Sequence, residues 1–168
     1  MNKDWDLFFM KMVYLTANKS KDTSTKIGAI IVNDNNQIIK IGYNGFPIGI
    51  DDSVEERFQR PLKYAYTAHA EANAIFFAAR DGAKIEGCKL YTNALCCNEC
   101  AKAVIQSGIS EVIYHAPYYA AWKLQQSTQW SGHENITHTL FKEGNVVVRE
   151  LNIQVNFMCL VNGNLLNF

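Results

Sequence analysis

Apolar positions along this chain change period several times, and each change marks an element. Over 4–18, Leu7, Phe8, Tyr14 and Leu15 recur near helical spacing between charged and polar residues, which predicts an amphipathic opening helix. β-Branched runs at 27–32 and 37–41, joined by Asn33-Asp34-Asn35-Asn36, read as a hairpin. No period persists over 42–68, where Gly, Pro and Asp predict a long ordered loop of the kind that usually serves function. Helix formers then fill 70–79, a strand follows at 89–92, a helix at 97–106 stops at Gly108, and 111–114 is again a strand. A polar, aromatic stretch holding Tyr118, Tyr119, Trp122 and Trp130 leads to a helix at 135–142, ended by Gly144, and to a strand at 146–148. The tail 152–168 carries one more apolar run, 157–161, suited to a sheet edge or an interface.

Strands alternating with helices imply a three-layer α/β fold, and 168 residues without an internal repeat or linker imply a single domain, 1–168. Charge narrows the partners. Sixteen Lys and Arg balance sixteen Asp and Glu, whereas a protein of long nucleic acid normally carries a basic excess. A small phosphorylated ligand needs only one or two cations, so mononucleotides fit a neutral chain. No apolar run reaches membrane-spanning length and the N-terminus lacks a signal pattern, so the expectation is a soluble cytoplasmic protein with no membrane partner. Five cysteines, three of them crowded at Cys96, Cys97 and Cys100, suit metal binding or catalysis in a reducing compartment better than disulfides.

The chemistry concentrates in two short segments. His69-Ala70-Glu71 opens one predicted helix, and Cys97-Asn98-Glu99-Cys100 opens another. Cysteines at i and i+3 share a helix face, and a helix N-terminus favours thiolate. With His69 they make three ligands, which leaves the fourth tetrahedral position to water and marks a catalytic metal rather than a closed structural one. Zinc held this way makes hydroxide available near neutral pH. Glu71, two residues past His69, is too close to coordinate from a regular helix and is placed to act on that water as a base. Taken alone, Cys97 and Cys100 would equally suit a redox pair or a structural metal, and a lone His-x-Glu would be ordinary surface or core. Together they match the zinc deaminase pattern, H-x-E followed by P-C-x-x-C, in which the Glu is general acid and base.

Beyond that pattern the chain resembles the deoxycytidylate deaminases of the cytidine deaminase superfamily from Asp4 to about Leu151. Ser20-Lys21-Asp22, Ile27-Gly28-Ala29-Ile30-Ile31-Val32, Gly42-Tyr43-Asn44-Gly45-Phe46-Pro47, His69-Ala70-Glu71-Ala72-Asn73-Ala74-Ile75 and Asn98-Glu99-Cys100-Ala101-Lys102 carry the likeness. The resemblance implies an α/β/α sandwich around a mixed five-stranded sheet, with the first two strands antiparallel and the rest parallel. It also implies hydrolytic deamination of a deoxycytidine monophosphate-type nucleotide and a homo-oligomer, commonly a hexamer. It assigns Asn44 to the sugar hydroxyl, Phe77 and Arg80 to the sugar–phosphate end, and Tyr118 to an aromatic that closes over the substrate. Some members hold a second zinc before the His motif, but 43–68 contains no Cys or His, so one zinc per chain is expected.

Several residues depart from the family pattern. Cys96 stands where Pro precedes the ligand cysteine, either as inert packing or as a competitor for the metal. Ala72, Ile48 and Asn93-Ala94-Leu95 also differ from the residues usual near the base, and Ala72 and Ala94 suggest room for a 5-substituted deoxycytidylate. A tRNA adenosine deaminase shares the metal motif, but neutral charge and the 42–47 segment count against it. A zinc-stabilised binding or regulatory module is the reading without catalysis.

Overall fold

A computed structural model describes residues 3–124 and 132–168, so Trp130 lies outside the described residues. The chain runs α1 (Lys3–Ala17), β1 (Gly28–Val32), β2 (Ile38–Tyr43), a 3-10 turn (Glu55–Phe58), α2 (Lys63–Tyr66), α3 (Ala70–Arg80), β3 (Lys89–Thr92) and α4 (Asn98–Gln106). It continues through β4 (Glu111–His115), α5 (Ala116–Leu124), α6 (His133–Glu143), β5 (Val147–Leu151), β6 (Met158–Val161) and β7 (Asn164–Asn167).

Five strands form one sheet in the order β2-β1-β3-β4-β5. β1 is antiparallel to both β2 and β3, while β3, β4 and β5 run parallel, giving the mixed sheet that the family resemblance implies. Its central strands are buried on both faces, as expected where helices cover each side. Two glycines show how closely the layers approach. A Cβ on Gly28 would stand 2.2 Å from the Val13 carbonyl oxygen of α1, and one on Gly42 would stand 2.2 Å from the Ala70 carbonyl oxygen of α3. Gly42 pairs with Ala29, the neighbour of Gly28, so the two glycines point to opposite faces and α1 and α3 cover opposite sides of the sheet. α4 and α6 extend the α3 layer.

The long loop after β2 is ordered by its own aromatic cluster. Phe46 stacks on Phe58 with ring centres 4.6 Å apart, Tyr66 lies 5.7 Å from Phe46, and the Arg57 guanidinium covers Tyr66. A bridge between Gly45 and Ala68 clamps its ends. The aromatic stretch after β4 is helical as α5, and the apolar run 157–161 pairs with its own chain: β6 and β7 form a separate antiparallel hairpin. Among the described residues no helix is long and apolar enough to cross a membrane.

Candidate active site

α3 and α4 begin side by side at the ends of β2 and β3, and the residue just before each helix is a predicted metal ligand. His69 (φ −74°, ψ 155°) and Cys97 (φ −72°, ψ 168°) have extended backbones at N-cap positions, and neither uses its side chain to cap. Their carbonyls accept the first helical bonds, from Asn73 N–H at 2.9 Å and Ala101 N–H at 2.8 Å. The side chains therefore turn toward each other. His69 Nδ1 is 3.3 Å from Cys97 Sγ and 3.5 Å from Cys100 Sγ, and all three donor atoms lie within 4.8 Å of one another. Zn–S bonds of ~2.3 Å and Zn–N bonds of ~2.0 Å at tetrahedral angles separate ligand atoms by roughly 3.5–3.8 Å, so this donor set fits zinc. Among the described residues it is the one such group of His, Cys, Asp or Glu.

Charge around the thiols agrees with metal ligation. Hydrogen bonding from Cys100, then from His69, holds the Cys97 thiol far below its usual value, whereas the Cys97 contact and burial push Cys100 up. Glu71, 4% exposed, has its carboxyl raised by burial, an effect that His69 opposes. A carboxyl tuned upward is suited to accept and return protons near neutral pH. Cys96, 2% exposed beside Glu71, has its thiol pushed well up by burial and then by the Glu71 charge. Its sulfur is not among the grouped donor atoms of His69, Cys97 and Cys100.

A cavity of about 270 Å³ opens in front of these groups, lined by His69, Glu71 and Cys97 and by the polar group Asp22, Thr25, Asn44, Arg60, Lys63 and Tyr64. Ala94, Leu95 and Cys96 follow β3 into the wall, and Tyr119, Trp122, Glu134, Thr137 and Asn162 come from α5, α6 and the β6–β7 turn. Tyr119 and Trp122 stack with ring centres 5.6 Å apart.

The residues expected at the substrate separate into two groups. Asn44 lines the cavity, with its amide fixed: Oδ1 accepts from Ile27 N–H at 2.8 Å and Nδ2 donates to Thr25 O at 2.9 Å. Phe77, half-buried, and Arg80, exposed, lie further along α3 and do not line this cavity. Tyr118 is fully buried and donates to Lys26 O at 2.9 Å, while its neighbour Tyr119 faces the cavity. Sequence reasoning passed over Arg60, Lys63, Trp122 and Asn162. For Arg60 and Lys63 the available signal was their position in a long loop of otherwise mixed character. Lys63 pairs with Asp22 at 2.8 Å, each side chain 9% exposed.

A metal set with an open coordination position, facing a cavity on an α/β sandwich, defines a catalytic rather than a structural metalloprotein. Residues 3–116 match the cytidine and deoxycytidylate deaminase zinc-binding region, and the chain belongs to that family. The deoxycytidylate deaminase of Mus musculus is 42% identical over 121 residues, which span 69% of this chain and 67% of that protein. An uncharacterized deaminase of Aliivibrio fischeri is 35% identical over 92% of this chain and 99% of its own length. In fold, the chain resembles the dCMP deaminase of cyanophage S-TIM5, solved in complex with dCMP and dUMP, with a TM-score of 0.68 at 24% identity over 90% of this chain and 99% of that one.

Proposed function

We propose that this protein hydrolyses deoxycytidylate to deoxyuridylate and ammonia. The observation that carries the reading is the meeting of His69, Cys97 and buried Glu71 at one cavity, with the Cys100 sulfur grouped behind them with His69 and Cys97, in a chain 42% identical to a deoxycytidylate deaminase. Zinc, when bound by His69, Cys97 and Cys100, activates water for attack near neutral pH. Glu71 takes the proton of the attacking water and delivers it to the ring nitrogen beside the amine-bearing carbon. It then passes the second water proton to the exocyclic amine. One C–O bond forms, the C–N bond breaks, and ammonia leaves with no redox change.

Specificity for a nucleotide is argued from the polar part of the cavity. Asp22 balances Lys63, so Arg60 supplies the cation for phosphate, with its guanidinium 5.9 Å from the Tyr64 ring centre. Arg60 thus takes the phosphate role that the family resemblance gives to Arg80. Both N–H groups of Asn44 are taken, by Thr25 O and by Asp22 Oδ2 at 3.4 Å, so it keeps its proposed contact to the sugar hydroxyl by accepting at the second lone pair of Oδ1, and Tyr119 with Trp122 takes the closing role assigned to Tyr118. Of the departures near the base, Ala94 and Leu95 line the cavity and Ala72 and Ile48 do not, so admission of a 5-substituted base rests on Ala94. We place the protein in a reducing, cytoplasmic setting as a homo-oligomer, on its free cysteines and on the family.

Ammonia release from deoxycytidylate, deoxycytidine, its triphosphate, cytidylate and deoxyadenylate tests the assignment. Turnover fastest with deoxycytidylate is expected; none with any cytosine nucleotide would overturn it.

A further inference from the structure

The last strands of the chain lie outside residues 3–116, the stretch that matches the zinc-binding region, yet their turn reaches the substrate cavity. β6 and β7 are joined by Asn162-Gly163, with φ of 46° and 84°, the two-residue turn that Asn-Gly favours. The hairpin is fastened along the segment entering β1. Lys26 N–H donates to Leu160 O at 2.9 Å, and Gly163 N–H donates to Ser24 O at 2.7 Å. At its far end Phe168, 6% exposed, packs on Tyr14 and Tyr118, so the turn is held from both sides.

Asn162 itself lines the cavity between Thr25 and Trp122, which line it too. Its backbone N–H donates to Thr25 Oγ1 at 3.2 Å, and that hydroxyl donates back to Oδ1 at 3.3 Å. Nδ2 donates to the Trp122 carbonyl at 3.3 Å. These bonds orient the amide while using one of its two N–H groups and one of its two lone pairs. Thr25 N–H in turn donates to Asp22 at 3.1 Å, which connects Asn162 to the Asp22–Lys63 pair at the polar part of the cavity.

We propose that Asn162 is a specificity-determining residue that donates a hydrogen bond to the sugar–phosphate end of the bound nucleotide. The inference rests on the deoxynucleotide reading above. A neutral amide suits the place: it adds a donor where Asp22 already balances Lys63, and the rigid turn presents it without ordering a loop on binding.

The test is Asn162→Asp and Asn162→Gly, both compatible with positive φ. Hydrogen bonds to charged groups are among the stronger ones, so both variants should raise KM for deoxycytidylate about tenfold or more, the Asp variant further by repulsion, with kcat within about twofold. KM within about twofold of the parent, a fall in kcat alone, or a lowered Tm with unchanged kinetics would overturn the proposal, since a purely structural turn predicts these. A parent enzyme inactive on deoxycytidylate would instead overturn the reading on which it rests.

Discussion

Removing the charge of Asp22 tests how far its pair with Lys63 is shielded from water. The carboxylate accepts from Lys63 Nζ at 2.8 Å, Ser24 N–H at 2.8 Å, the Ser24 hydroxyl at 2.9 Å and Thr25 N–H at 3.1 Å, with both ionic side chains 9% exposed. Asp22→Asn keeps the shape but turns an amide toward Lys63, leaving an ammonium without its counter-ion. Breaking one side of a buried pair costs about 3–5 kcal/mol, which for a protein of this size lowers Tm by roughly 6–20 °C. Lys63→Met in the same chain should restore most of the loss, because two neutral groups then replace the pair. Urea and thermal unfolding of parent, single and double variants measure this. Burial alone would raise the Asp22 pKa, but the hydrogen bonds from Lys63, Ser24 and Thr25 outweigh it and hold the value below normal. The stabilisation is then fully present above the unfolded value near 3.9 and is lost as pH falls through the lower folded value, so Asp22→Asn should flatten stability below about pH 4. A single-variant cost under about 1 kcal/mol, typical of exposed pairs, would refute the reasoning, as would a double variant no more stable than the single.

Other outcomes follow from the same geometry. Glu71→Gln should lower ammonia release by about 10²–10⁴ while zinc stays near one per chain by elemental analysis; an active variant would remove Glu71 from the proton path. Cys100→Ser or His69→Ala should reduce zinc content, read by elemental analysis after dialysis, since each removes one of three protein ligands. Arg60→Met should raise KM for deoxycytidylate about tenfold or more, and Arg80→Met should not; the reverse result would return the phosphate contact to α3. Ala94→Leu should slow a 5-methylated deoxycytidylate more than the unmodified nucleotide, and equal effects on both would show that the 5-position does not meet Ala94.

The sequence spoke most clearly where periodicity and chemistry coincide. α1, the β1–β2 hairpin, α3, β3 and α4 fall within a residue or two of the periodic segments, and His69, Glu71, Cys97 and Cys100 follow from them because a helix start fixes both position and direction. α5 was illegible: Pro117 suits a first helical turn, but Tyr118, Tyr119, Ala120, Ala121 and Trp122 show no polar face by which to recognise the period. Neighbouring helical residues point about 100° apart, so choosing Tyr118 or Tyr119 required the packing of α5 on β4 and β6. Asn162-Gly163 was a readable hairpin signal, passed over because only the first of its two strands is strongly apolar. That the turn reaches the cavity depends on contacts across more than 130 positions of sequence, which no local pattern encodes.

Gly42 sets a boundary for anyone redesigning the substrate range. With the first turn of α3 seated against its bare α-carbon, the helix bearing Glu71 cannot be moved toward the sheet, and any added side chain would push it outward with its metal ligand. New volume for a larger base must therefore come from trimming other lining residues such as Leu95 or Trp122, so libraries should hold the strand fixed and vary the lining.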